Sequence, residues 1–235
     1  MTQRKIQYWV IPPKENGEFA AHMENVLDTY VLPYDERFPV LCMDEQPVQL
    51  LEEVNNPIAA TKNHARRVDY EYGRAGTVSI FMFAEPLSMW RSVQVRERRT
   101  KIDWAMEMQF LLTARYAQAE KVILVCDNLN THTMGAFYEA FPPAQARELV
   151  RRIEFRYTPK HGSWLNIAEN ELSSMTRQCL HTRRFGTIDA IREETKAWEN
   201  STNTRQRGVE SAIPGQRQSP MIYNAPECYR GAMNF

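Results

Sequence analysis

The sequence contains no apolar run approaching the roughly twenty residues that span a bilayer, and its opening stretch, MTQRKIQYWV, lacks the apolar core of a secretory signal. Both absences predict an intracellular, cytoplasmic protein with no membrane partner. Cysteine is sparse. Cys42, Cys126, Cys179 and Cys228 lie far apart and form no CxxC pair, which argues against a structural zinc site and a disulfide framework. Cys42 and Cys126 sit in apolar runs and read as small buried side chains. Net charge is missing too, since 29 Lys and Arg balance 29 Asp and Glu. Nucleic-acid-binding domains often carry a basic excess, so the total counts against that class. The distribution counts the other way: Arg91, Arg96, Arg98, Arg99 and Lys101 cluster in one segment, and Arg177, Arg183 and Arg184 in another. Each cluster reads as a local phosphate-binding stripe or as a solvated charged face. There are no internal repeats.

What remains is an ordinary globular composition, 43% hydrophobic and 25% charged, in 235 residues, enough for one α/β domain with short extensions. WVIPPKENGEF resists regular structure, and a helical spacing at Met23, Val26, Leu27 and Tyr30 closes at Pro33, so residues 1–35 read as a linker. FPVLCMDE and VQLLEEV read as two short strands, ATKNHARRVDYEYGRAG as a loop, and TVSIFMFAEP and WRSVQVRER as paired strands. A long helix is predicted over TKIDWAMEMQFLLTARYAQAEK, and KVILVCDN is the clearest buried strand. Helical pattern resumes over 133–150 with a break at Pro142-Pro143; IEFRYTPK is a strand, and NIAENELSSMTRQCL and TIDAIREETKAWEN are helices. The order predicts a mixed α/β domain over 36–210. Residues 211–235, with three prolines and no apolar period, read as an atypical, poorly ordered tail.

Two apolar strands, VLCM and KVILVC, each end in an aspartate, Asp44 and Asp127. If the strands are neighbours, both carboxylates emerge at one sheet edge, where such acids can hold the divalent ions that phosphodiester chemistry uses. Strand-ending acids are also common turn formers and caps, and Asp44 competes with its neighbour Glu45. A third acid would come from TPKHGSWLNIAENELSSMTRQCL. There Asn166 and Glu169 fit a helix-start capping pattern, which would make Glu169 structural. Glu169 and Glu171 flank the apolar stripe on opposite sides, so periodicity leaves the choice between them open.

FPVLCMDE, KVILVCDNLNTHT and YTPKHGSWLNIAENELS resemble the three catalytic motifs of Tc/mariner-superfamily transposases, and are most similar to the six-thirty family of bacterial insertion sequences. The likeness runs from about residue 5 to about residue 210 and includes YEYGRAGTVSIFMFAEP and YEAFPPA. It implies a ribonuclease-H-like (retroviral-integrase-like) fold, a mixed sheet flanked by helices. It also implies a DDE site of Asp44, Asp127 and Glu169, the third acid falling on Glu169 in the LN-x-x-E pattern. Those acids would be both the catalytic and the metal-holding residues, carrying two Mg2+ ions for which Mn2+ can substitute. The implied chemistry is hydrolytic cleavage at the ends of a mobile element, then attack of the freed 3′-hydroxyl on target DNA, with no covalent protein–DNA intermediate. Asn128, His132 and Asn166 would stand behind the acids. His132 reads as a hydrogen-bonding partner in preference to a metal ligand, because magnesium favours hard oxygen donors. Lys160, His161, Arg98 and Arg99 are the candidate DNA contacts. The implied partners are double-stranded DNA, as element ends and target, and a second copy of the chain; the implied setting is the bacterial nucleoid. The three carboxylates are expected to converge within metal-bridging distance.

Two departures from the family pattern are visible. Relatives carry helix-turn-helix modules ahead of this region, and no recognition helix is found here. After about Glu210 the resemblance and the apolar pattern stop together, which suggests a frameshift and a truncated remnant of an insertion element. Besides an active transposase core, the sequence is compatible with a non-catalytic regulatory fragment or a repurposed ribonuclease-H-like nuclease.

Overall fold

Val122–Cys126, five apolar residues in succession, form an inner strand (β4) with every residue buried, as expected for a strand covered on both faces. A computed structural model describes residues 17–55, 58–65, 67, 69–181 and 183–205. Within these, β4 joins β1 (Val40–Glu53), β2 (Tyr72–Glu85), β3 (Trp90–Arg96) and β5 (Ile153–Tyr157) in one sheet of order β3-β2-β1-β4-β5. The β1–β2 and β2–β3 pairs are antiparallel, and β1–β4 and β4–β5 are parallel. Parallel neighbours need helical crossovers. The chain supplies α2 (Lys101–Thr113) before β4, and α3 (Met134–Ala140) with α4 (Pro143–Arg151) before β5. Helix α1 (Gly17–Tyr30) precedes the sheet, and α5 (Ile167–Met175) and α6 (Ile188–Thr204) follow it.

Alternation along the strands divides the core in two. Cys42, Ile80, Met82, Ile123 and Val125 face one layer with Val26 of α1, Leu172 of α5 and Trp198 of α6. Leu41, Met43, Phe81, Phe83 and Leu124 face the other, with Trp104 and Met108 of α2, Phe137 of α3 and Leu149 of α4. The result is a mixed sheet with helices on both faces. Cys42, Cys126 and Cys179 are free and buried; Cys228 lies outside the described residues.

Four elements differ from the sequence expectation, the first being β2, which begins at Tyr72 inside the stretch expected as a loop because Tyr72, Gly73 and Arg74 pair with the end of β1. FPVLCMDE and VQLLEEV belong to one strand that runs straight through Pro47. Strand β4 flanks β1 only at Val40, Leu41 and Cys42, so Pro47 sits where β1 is an edge on that side and a missing N–H is tolerated. The strand then bulges between Gln49 and Leu51, where Leu51 N–H donates to the Phe185 carbonyl at 2.8 Å. Helix α2 is capped by Thr100, whose side chain forms a capping box with Asp103, but it stops at Thr113 rather than reaching Lys121. There the Arg152 guanidinium donates to the carbonyls of Leu112 (2.9 Å), Tyr116 and Ala119 (3.1 Å), satisfying groups that a longer helix would have paired internally. Helix α5 does not run evenly to Leu180; it widens into a π-turn over Thr176–Leu180.

Helix α6 covers the outer edge of β3. Asn203 accepts from the Arg91 N–H and donates to the Arg91 carbonyl, both at 2.8 Å. Glu199 accepts from Val93 N–H at 2.8 Å, and Arg192 donates to the Val95 carbonyl at 3.2 Å. No helix among the described residues is long and apolar enough to cross a membrane. The tail expected over 211–235 and the first sixteen residues of the expected linker lie outside the described residues.

Candidate active site

The parallel register pairs Cys42 with Val125. Two residues further on, it carries Asp44 and Asp127 to neighbouring positions where the two strands end their pairing. Asp44 still belongs to β1, and Asp127 is the first residue past β4. The third segment is tied to the same place by Asn166, which is 1% exposed. Its Nδ2 donates to the Met43 carbonyl, next to Asp44, at 2.8 Å, while its Oδ1 caps α5 by accepting from Ala168 N–H at 3.1 Å. The backbone N–H of Asn166 is already bonded to the Ser163 carbonyl at 2.7 Å, which removes the need for Glu169 to complete a capping box. Tyr30 of α1 adds a second tie, its hydroxyl donating to the Leu165 carbonyl at 2.8 Å.

The approach to α5 is a tight turn. Gly162 N–H donates to the Pro159 carbonyl at 2.8 Å, with His161 in the left-handed region at φ 65°. A Cβ on Gly162 would stand 2.6 Å from Pro159 Cγ, so no larger residue fits without moving the proline. The turn leaves Lys160 and His161 exposed beside the entrance to α5.

Charge is crowded at this edge. The Asp44 carboxyl is pushed up to about 7, first by burial and then by the carboxylates of Asp127, Glu169 and Glu45, against a bond from Glu45 N–H at 2.7 Å. One oxygen of Glu169, Oε2, is buried with no hydrogen-bond partner among the described residues. Asp127 is held differently: its Oδ1 lies 2.5 Å from His132 Nδ1. The other ring nitrogen, Nε2, lies 3.1 Å from Glu45 Oε2, and Glu45 Oε1 lies 3.6 Å from an Arg99 nitrogen. Burial opposes protonation of His132, but the bonds to Asp127 and Glu45 outweigh it and bring the imidazole to about 9.

Glu171 points elsewhere. It is buried and accepts from Arg91 at 2.7 Å in an ion pair between α5 and β3. Arg91 is therefore an internal residue, and the 91–101 segment forms neither one continuous phosphate-binding stripe nor a wholly solvated face. Arg96 pairs with Glu107 at 2.5 Å and Lys101 with Glu139 at 2.9 Å. Arg98 is exposed, and Arg99 is half-exposed above Glu45. In the second cluster Arg183 pairs with Glu194 and Arg184 with Glu53, while Arg177 is exposed. Asn128 is exposed just beyond Asp127. Glu45 was visible in sequence only as a competitor of Asp44; the DE pair preceding a D-x4-H motif is the one signal that links it to His132.

Residues 39–192, which include Asp44, Glu45, Asp127 and Glu169, match the family of DDE superfamily endonucleases. The chain belongs to that family. Among curated proteins none matches this DDE chain. Among solved structures it is similar to the Mos1 transposase paired-end complex with left transposon end and to the Mos1 Strand Transfer Complex, each with a TM-score of 0.56 and 14% identity. It is also similar to the Mos1 mariner paired end complex with Mn, with a TM-score of 0.54 and 14% identity. In each case the likeness covers 87% of this chain and 62% of the Mos1 chain. At that identity the likeness is one of fold, the ribonuclease-H-like sheet with flanking helices.

For a DDE endonuclease the site's fit to divalent cations can be tested on its own residues. Among the described residues no group of three or more His, Cys, Asp or Glu is gathered into metal-holding geometry, so the expected convergence to bridging distance is not met. One of the acids, Asp127, is engaged by His132 at 2.5 Å. In kind the residues do fit. The donors are hard oxygens, one of them is a buried carboxylate oxygen with no hydrogen-bond partner among the described residues, and Asp44 is raised by burial and then by neighbouring negative charge, both of which a cation would offset.

Proposed function

We propose that this chain is the catalytic core of a DNA transposase, with Asp44, Asp127 and Glu169 as its catalytic and metal-holding acids. The observation that carries this reading is the crowding of buried Asp44 by Asp127 and Glu169, acids from two other segments, combined with a Glu169 oxygen buried with no hydrogen-bond partner among the described residues. Burying several carboxylates together is unfavourable unless something cationic compensates them. Two Mg2+ ions, or Mn2+ in their place, would supply that compensation and, when bound, the Lewis acidity that phosphodiester cleavage requires.

The chain's own groups divide the remaining work. Asp44 is fixed on a strand and Glu169 on the first turn of a capped helix, so both are set on rigid elements, and Asn166 joins the two at the Met43 carbonyl. Asp127 is held through His132. Lys160, His161, Arg98 and Arg99 supply exposed donors around this edge for DNA phosphates, in the way that backbone contacts position a duplex without reading its sequence. With carboxylates as the acting groups, water cuts the element end and the freed 3′-hydroxyl attacks target DNA, so no protein nucleophile is used. A homodimer follows from the need to handle two element ends.

The test is nicking and strand transfer on plasmid DNA that carries the ends of the encoding element, with Mg2+ or Mn2+ present. Asp127→Ala should abolish a metal-dependent activity of the unsubstituted chain. Equal activity in the two proteins refutes catalysis at this site. Absence of activity in both, with DNA binding retained, favours a regulatory fragment instead.

A further inference from the structure

We infer that Glu45 is a positioning residue for Asp127, acting through His132, and that it thereby sets how the second acid presents its free oxygen to a divalent cation. The inference rests on the reading of Asp127 as a metal-holding acid and concerns residues that the three-acid motif leaves out. Glu45 follows Asp44 on β1, so its side chain leaves the strand on the opposite side. It is 4% exposed there and meets His132, which is fully buried. A carboxylate and an imidazole in that position replace apolar packing against Trp104, whose ring centre lies 5.5 Å from that of His132. Burying such groups is costly unless each is paired, and here each is paired in sequence: Arg99 to Glu45, Glu45 to His132, His132 to Asp127.

The geometry explains what the relay does. Asp127 lies past the end of β4, and its side chain is 32% exposed, so the strand alone does not fix its rotamer. His132 takes Oδ1 at 2.5 Å, which leaves Oδ2 as the oxygen available for a ligand. The imidazole cannot swing away freely. Its backbone carbonyl accepts from the Tyr157 hydroxyl at 2.9 Å, its N–H donates to the Leu129 carbonyl at 3.0 Å, and its far nitrogen is engaged by Glu45. Glu45 is thus the fixed end of the lever, on the same strand as Asp44, and it ties the orientation of the second acid to the strand that carries the first.

Mn2+ binding to the full chain, followed by loss of the free-ion EPR signal, tests this, with thermal unfolding in chelator as the control for folding. Glu45→Ala should weaken Mn2+ binding about tenfold or more, the range typical of groups that hold a metal ligand in place. Glu45→Gln, which still accepts from the imidazole, should weaken it less. His132→Asn keeps a donor near the Nδ1 position but cannot reach Glu45, and should weaken binding about as much as Glu45→Ala. The double variant should be no weaker than His132→Asn alone, because both changes cut one link. Wild-type affinity in Glu45→Ala, or additive losses in the double variant, overturns the inference. Should Glu45→Ala fail to fold, Glu45→Gln combined with His132→Asn carries the same additivity test. Asp127→Asn separates the two readings. If it binds Mn2+ as the unsubstituted chain does, or neither binds, the metal reading of Asp127 has failed and the inference falls with it. If it alone loses binding while Glu45→Ala does not, only the inference falls.

Discussion

Two positions along an α-helix amount to about 200° of rotation, so Glu169 and Glu171 leave α5 in different directions and meet different company. Glu171 meets Arg91 at 2.7 Å inside the protein; Glu169 Oε2 is buried with no hydrogen-bond partner among the described residues. Removing one member of a buried ion pair typically destabilises by about 3–5 kcal/mol, so Glu171→Ala should lose on that order of stability in denaturant titrations. Glu169→Gln removes one of the like charges crowding Asp44. Its unfolding temperature in chelator should hold steady or rise while DNA cleavage disappears. Similar destabilisation of both variants would show that the two acids do the same structural job. The apolar stripe of α5 could not make this choice in sequence, because the partner that distinguishes the two acids sits 80 positions away. The same holds for Glu45, whose partner His132 is 87 positions away. Asp44 and Asp127, by contrast, stood out as acids closing apolar strands, a local pattern.

Among the elements, β4, β5 and α6 were legible because each carries its own period and stop signals. The joined β1 was not, since a proline ordinarily ends a strand and only the limited reach of β4 makes Pro47 harmless. Nor was the fate of the 91–101 cations: Arg91 and Arg96 face buried or half-buried acids rather than a common stripe. The edge of β3 is the clearest case of one element completing another. An uncovered edge strand is a template for pairing with other chains, and α6 covers this one with Arg192, Glu199 and Asn203. Asn203→Ala should therefore cost about 1–3 kcal/mol, the penalty for partly buried backbone groups left without their partner, and should promote self-association on mild heating. Light scattering and thermal melts read both effects; an unchanged melt with no new aggregation would deny α6 this role.

At the scale of the whole molecule the site's charges bear on stability against pH. The Asp44 carboxyl is raised to about 7 from an ordinary 3.8, so the folded chain holds that proton longer than the unfolded one and stability falls as pH rises through that interval. His132, raised to about 9 from 6.5, contributes stability that is complete below 6.5 and is lost as pH rises through 9. Both slopes have one sign, so in chelator the melting temperature should decline from about pH 5 to pH 9. Divalent cation at a hundredfold excess over its Kd should restore roughly 2.7 kcal/mol, or about 5–10 °C for a chain of this size, most visibly above pH 7, where Asp44 has given up its proton. A chelator melt that climbs from pH 5 to pH 8 would contradict the assignment. The cover over β3 has one further consequence, in time rather than in energy. The strand is complete at Arg96, but Asn203 is made 107 residues later (203 − 96), a delay of roughly 5–20 s at ordinary rates of synthesis. For those seconds each nascent chain displays a bare strand to the chains growing beside it on the same message, and slowing the ribosome between those two points lengthens the exposure.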